Sequence, residues 1–352
     1  MNELNFYAGP SILDQSIIEK ASHLLNNQNQ LSILEKSHRS KDIVSLFEET
    51  EQLVKELMAL DEYHKVLFLH GGASLQYCMV AYNINTKGKA QFVDTGVWSF
   101  KSFKECSKIR DTEIVATSAD KYNYIPEIDT SKTDKDGFLH ITSNNTIYGT
   151  QYHTFPQSNA AIVADMSSDI LSRELNFNEF GLIYAGFQKN LGTAGGCLTI
   201  VDERLLDGDM SKVPSMLDYK IHIKNASMFN TPPVFAVLMC NLSLKWIKEN
   251  GGLKQIEQNN IEKANLLYRE IDRNELFFNP VETKDRSLMN VVFRAKDTAV
   301  EEKFMAFCND KHIVGIKGHR LSGGFRASLY NTLPKSHVQQ LVEIMQEFEN
   351  AY

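Results

Sequence analysis

The feature that most limits the fold of this chain is a series of short apolar runs at residues 66–70, 90–93, 112–116, 139–142, 160–164, 182–185 and 197–201. They show little of the apolar–polar alternation of a half-exposed strand, and helical stretches separate several of them. Strands buried on both faces and alternating with helices predict a mainly parallel sheet covered by helices on either side. The expected fold is therefore α/β, a three-layer sandwich around a mostly parallel central sheet. The last hundred residues add a strand at 289–294, a helix at 300–310, strands at 313–317 and 325–329 and a helix at 337–349, a smaller C-terminal α/β domain. The chain divides into an irregular N-terminal arm (1–15), a large domain (16–255) and a small domain (256–352).

In open α/β sheets ligands gather at the carboxyl ends of the strands. The run 66–70 leads into Gly71-Gly72-Ala73-Ser74, which opens an apolar helix at 75–83. Strand, glycine turn and helix N-terminus together favour an anion, although a plain βα turn reads the same way; the pattern is neither G-x-G-x-x-G nor a P-loop. The run 90–93 leads into Asp94-Thr95-Gly96-Val97-Trp98, whose indole is either a core filler or a platform for a flat ring. The run 160–164 ends in Asp165, a helix cap or a buried anion with a cationic partner. Between the runs 182–185 and 197–201 lies a polar loop with Gln188, Lys189 and Asn190. A lysine there is either solvated or partly desolvated, and a desolvated amine is suited to forming a Schiff base.

Cationic groups recur at three places: His38-Arg39 ahead of a helix at 43–60, Lys317-Gly318-His319-Arg320, and Arg326. Each is a solvated turn or part of a local anion trap. They stand out because the 352-residue chain carries a net charge of −7 without a basic run, which argues against nucleic acid or an anionic membrane as its partner. The five cysteines are scattered, with no C-x-x-C pair, so neither a disulfide framework nor a metal site is expected and a reducing, cytoplasmic setting fits. No apolar run is long enough to span a membrane, and the start shows no signal-peptide pattern.

Eight segments in one order carry a resemblance that covers essentially the whole chain: NFYAGP, SHRSKDI, LFLHGGASLQ, ADMSSDILSR, IYAGFQKNLG, SMFNTPP, KGHR and GGFRASLYN. Together they resemble the phosphoserine aminotransferase family, class V aminotransferases of the fold-type I pyridoxal-phosphate enzymes. The resemblance implies transfer of an amino group between glutamate and 3-phosphohydroxypyruvate in serine biosynthesis. It extends to a phosphorylated four-carbon analogue in pyridoxine biosynthesis and to a homodimer with shared active sites. It also implies residue roles. Lys189 would carry pyridoxal 5'-phosphate, Asp165 would face the ring nitrogen, Trp98 would stack on the ring and Thr146 would bond the phenolic oxygen. Ala73, Ser74 and Gln188 would hold the cofactor phosphate, with Asn230 and Thr231 reaching it from the other subunit. Arg326 would clamp the substrate α-carboxylate. His38 and Arg39 would grip its distal anion, with His319 and Arg320 as a second contribution from the partner. Some relatives carry glycine and arginine where this chain has Ala73 and Ser74, so one cation fewer serves the distal phosphate, and some carry serine at Ala8.

Two other readings use the same residues. A cysteine desulfurase or a serine–glyoxylate transaminase would keep the fold and cofactor; the first needs a mobile cysteine, and Cys197 falls in an expected strand. A cofactor-free protein binding phosphorylated metabolites would use the Gly71–Ser74 turn and the cations and leave Lys189 idle.

Overall fold

The computed structural model describes residues 3–26 and 31–352; residues 1 and 2 of the expected arm lie outside the described residues. The large sheet has seven strands: β1 (His64–Leu69), β2 (Ala90–Asp94), β3 (Thr112–Thr117), β4 (Phe138–Thr142), β5 (Ala161–Asp165), β6 (Leu182–Gly186) and β7 (Cys197–Asp202). Their order is β1-β7-β6-β5-β4-β2-β3. All run parallel except β7, which is antiparallel to both β1 and β6. Every residue of β2, β4 and β6 is buried, as an unbroken apolar run requires, whereas the edge strand β3 is only half-buried.

Side chains alternate between two apolar layers. Phe68, Ile183 and Ala185 pack against helices Lys41–Met58 and Val234–Glu249, while Leu67, Leu69, Leu182 and Tyr184 face helix Gly72–Asn83. Helix Lys41–Met58 turns Ile43, Phe47, Val54 and Met58 inward. Each fully buried side chain of this kind contributes about 1.5–3 kcal/mol.

A second core forms around a three-stranded antiparallel sheet of Phe277–Phe278, Asn290–Ala295 and Phe325–Ser328. At its centre Phe277 meets Phe293, Phe304 and Phe325, with ring centroids 5.6, 4.7 and 6.0 Å away. Helix Gly252–Arg273 joins the two cores: Leu253 and Ile256 belong to the first, and Ala264, Leu267 and Ile271 to the second.

Three local expectations are revised. The helix expected from 75 begins at Gly72, and the sequence reading of a further helix from 256 is met by one that begins at Gly252, because each starts on a glycine pair with positive φ that turns the chain into the first turn. The strand expected at 313–317 is only Ile313–Val314. The arm is not irregular throughout, since Leu4–Asn5 pairs in parallel with Ile313–Val314 and Phe6 is fully buried in the second core.

Candidate active site

The carboxyl ends of β1, β4, β5 and β6 open on a cavity of ≈ 370 Å³ whose wall includes Ala73, Ser74, Trp98, Thr146, Asp165, Gln188, Lys189, His319 and Arg326. One end is the start of helix Gly72–Asn83. Its N-cap is Gly71, at φ 81, which has no side chain to satisfy the first-turn N–H groups. The N–H groups of Ala73 and Ser74 and the positive helix end therefore favour an anion. Glycine is required at 71, where an added Cβ would stand 2.6 Å from Leu75 Cβ.

Asp165 ends β5 and is 5% exposed. Of the two sequence readings, the buried anion with a cationic neighbour holds; no helix follows, and its Oδ1 instead accepts from the Ser167 N–H of a turn at 2.9 Å. Burial pushes its pKa up, Ser167 and the Lys189 ammonium pull it down, and Asp169 pushes it up again. Lys189 follows β6 on the same wall. Loss of hydration lowers its pKa, Asp165 partly restores it, Arg326 lowers it further and Asp169 raises it. The free amine is thus more available than in an ordinary lysine.

The loop bearing Lys189 is held from several sides. Ser11 donates its N–H to Gln188 O at 2.9 Å and its hydroxyl to Lys189 O at 2.5 Å. Asn190 donates to Ile170 O at 3.0 Å and accepts from the Asn331 N–H at 3.1 Å.

Trp98 starts helix Val97–Cys106 and is a wall residue, not a core filler. Its Nε1–H donates to Thr146 Oγ1 at 3.1 Å, which fixes the indole against the cavity. Thr146 O in turn accepts from Arg326 Nη1 at 3.0 Å. Burial lowers the pKa of Arg326, and its Nε is buried without a partner among the described residues, leaving donors for an anion. The His319 pKa is lowered by burial and then by Arg326, Arg320 and Lys101. Its Nδ1 accepts from the Leu321 N–H at 3.2 Å, so the neutral ring carries its proton on Nε2.

Five residues implied by the resemblance do not line this chain's cavity. His38 and Arg39 sit in the turn before helix Lys41–Met58, and Arg320 is exposed beyond His319. Asn230 and Thr231 lie on an exposed loop, where Thr231 O accepts from His70 Nε2 at 2.9 Å. His319 lines the cavity of its own chain, because Gly318 N–H bonds to Gly324 O at 2.8 Å and folds the turn back toward Arg326.

Sequence reasoning missed Tyr77, Thr142, Asn144, Ser167 and Ser168 as wall residues. Four of them follow or end β4 or β5, so strand-end position was the available signal. The Thr142 hydroxyl is buried without a partner among the described residues. Asn144 bonds Ser168 Oγ and Asn290 Oδ1, each at 2.8 Å, and so ties the site to the second core. Behind the wall, buried Asp169 accepts from Ser143 and from Gln151 (3.1 Å) and pairs with Arg173 at 3.6 Å.

The family model for class-V aminotransferases matches residues 4–341. The chain belongs to the class-V aminotransferase family. Among its relatives, a phosphoserine aminotransferase of Azobacteroides pseudotrichonymphae is 48% identical, with 100% of this chain and 99% of that protein aligned. A solved phosphoserine aminotransferase, described for radiation damage at its Schiff base, superposes with a TM-score of 0.95 at 43% identity, covering 99% of this chain and 98% of the other. The PLP-bound phosphoserine aminotransferase from Trichomonas vaginalis superposes with a TM-score of 0.92 at 35% identity, covering 98% of this chain and 100% of the other. Within this family the α/β fold with its mostly parallel sheet is the fold-type I architecture. The cavity fits a flat phosphorylated pyridine: helix N–H groups at one end, a buried carboxylate at the strand ends, a half-buried indole and a desolvated amine share one wall.

Proposed function

We propose that this class-V aminotransferase is a pyridoxal-phosphate-dependent phosphoserine transaminase, interconverting O-phospho-L-serine and 2-oxoglutarate with 3-phosphohydroxypyruvate and L-glutamate. The observation that carries the reading is the meeting of Lys189, Asp165 and the open start of helix Gly72–Asn83 in one cavity. Pyridoxal phosphate, when bound, supplies an electron-withdrawing ring that accepts the charge left when the substrate α-carbon loses its proton. The Ala73 and Ser74 N–H groups and Gln188 hold its phosphate, Trp98 flanks the ring and the Thr146 hydroxyl bonds the phenolic oxygen. The Asp165 carboxylate keeps a proton on the ring nitrogen. The Lys189 amine would hold the cofactor's aldehyde and, once freed, would move the proton from the substrate α-carbon. Its lowered pKa makes the neutral amine more available for that work than in an ordinary lysine.

Arg326 grips the α-carboxylate, and a guanidinium suits this through its paired donors. The distal phosphate falls to His38 and Arg39, with the Nε2–H of His319 from the same chain and Arg320 beside it. We further propose a cytoplasmic homodimer in which Asn230 and Thr231 reach the partner's cofactor phosphate. Phe229 and Phe235, 41% and 37% exposed on either side of that pair, support a covered surface there. A role in pyridoxine biosynthesis belongs to the same reading, since the phosphorylated four-carbon substrate presents the same two anions. The desulfurase alternative is disfavoured by Cys197, fully buried in β7 with its thiol pushed up to about 12.

The test is a half-reaction. The holoenzyme is mixed with phosphoserine or with serine, and the cofactor absorbance is followed. A much stronger response to phosphoserine is expected, whereas equal responses contradict the phosphate assignment. Failure of borohydride to fix the cofactor on Lys189 contradicts the catalytic one.

A further inference from the structure

Lys263 is 1% exposed in the middle of helix Gly252–Arg273 and takes no part in the cavity wall. A buried ammonium is costly unless paired, and among the described residues no charged group shifts it. Its Nζ instead donates to Leu329 O at 3.0 Å, Tyr330 O at 2.7 Å and Leu333 O at 3.2 Å, and reaches Asn331 O at 3.5 Å. Three N–H groups thus meet four converging carbonyls, the arrangement that would hold a small monovalent cation. Burial pushes its pKa down to about 7, and the carbonyl dipoles oppose this by favouring the charged form.

The caged segment bears directly on the active site. It continues from strand Phe325–Ser328, which carries Arg326. The Tyr330 hydroxyl donates to Ala8 O at 2.7 Å, on the arm that lines the cavity. The Asn331 N–H donates to Asn190 Oδ1 at 3.1 Å, beside Lys189, and its Nδ2 donates to Leu171 O at 2.9 Å. One helical turn before Lys263, Asn260 donates to Asn331 Oδ1 at 2.9 Å and to Ser172 O at 3.0 Å. Without a central cation, converging carbonyl dipoles repel one another, and the segment that joins three walls of the site loses its fixed shape.

We propose that Lys263 is a positioning residue, a tethered cation in a carbonyl cage that holds residues 329–333 and thereby sets Arg326 and the Lys189 loop for the substrate carboxylate. The inference rests on the transaminase reading. Its test is Lys263→Met in the holoenzyme, which keeps the apolar stem and removes the charge. Circular dichroism is expected to match the wild type. Amide exchange speeds up in peptides covering 326–333 and 186–191 and stays unchanged in β2 and β3. KM for the amino donor rises about tenfold with kcat within about twofold, the pattern of lost binding without lost chemistry.

Should Lys263→Met fail to fold, Lys263→Ala is compared in ammonium chloride and in sodium chloride of equal ionic strength. Ammonium is expected to lower KM and slow the exchange by refilling the cage. Unchanged KM and exchange in Lys263→Met overturn the proposal. So does faster exchange spread evenly over the chain, or an alanine variant indifferent to ammonium. A wild-type protein inactive on phosphoserine would fail the transaminase reading instead, and the exchange measurements would still judge the cage.

Discussion

Replacing Arg326 with glutamine separates the two anion grips of the site. The guanidinium has five N–H donors; Nη1 is engaged by Thr146 O at 3.0 Å, and Nε is buried without a partner among the described residues. A carboxylate held by two charge-assisted bonds gains about 1.5–3 kcal/mol from each, and glutamine returns about 1 kcal/mol through one neutral bond. The net loss of about 3 kcal/mol corresponds to a rise of about a hundredfold in KM for every amino donor. Phosphoserine and serine share the α-carboxylate, so the ratio of their responses should stay as in the wild type. A second effect has a fixed sign. The Arg326 cation disfavours the Lys189 ammonium, so its removal raises the Lys189 pKa. The pH at which the free amine appears must therefore move upward. The assay is the half-reaction amplitude and rate against donor concentration, repeated across pH. The reasoning fails if KM changes less than about threefold, if the ascending limb of the pH profile moves down, or if discrimination between phosphoserine and serine collapses, since the last would place the phosphate on Arg326.

Other substitutions test the remaining parts. Lys189→Ala should keep the fold and lose turnover by about 10²–10⁴-fold or more, while still holding cofactor noncovalently, as read by absorbance after gel filtration. Asp165→Asn removes the ring-nitrogen partner and should lower kcat by about 10²–10³-fold with little change in KM, measured by steady-state kinetics. Gly71→Ala forces a side chain into φ 81 and against Leu75; a loss of about 2 kcal/mol in denaturant unfolding and weaker cofactor retention are expected. Ser74→Arg, combined with Ala73→Gly, adds a cation at the phosphate end and should raise the preference for phosphoserine over serine about fivefold, measured as a kcat/KM ratio.

The central sheet was legible because strands such as β4 and β6 are buried on both faces, and that condition writes itself locally as an apolar run. Residues at strand ends, among them Asp165, Trp98 and Lys189, were legible for the same reason, since the end of a run marks the edge where a cavity can form. Asn144 and Ser168 occupy equivalent places, but polar residues after a strand look the same whether they cap a turn or line a pocket. Lys263 left no trace: its partners lie 66–70 residues away along the chain, and an ordinary solvated helix lysine has the same local sequence. The glycine pair at 71–72 reads as the opening of a helix and is one, whereas the pair at 251–252 reads as a helix breaker and the fold also uses it to launch the next helix. Asn230 and Thr231 were found only by resemblance, whereas His38, Arg39 and Arg320 stood out as cations that could equally be solvated turns; one chain's cavity reaches none of the five.

The N-terminal arm has a consequence for how the protein comes into being. Leu4 and Asn5 need Ile313 and Val314, the Phe6 carbonyl accepts from the Ser328 N–H at 3.3 Å, and Ala8 awaits the Tyr330 hydroxyl. The ribosome makes residues 4–8 some three hundred residues before their docking sites. That stretch is thus among the last to settle, a loop closure of very long range. Nascent chains halted before about residue 330 should complete the seven-stranded sheet and still lack a finished pocket.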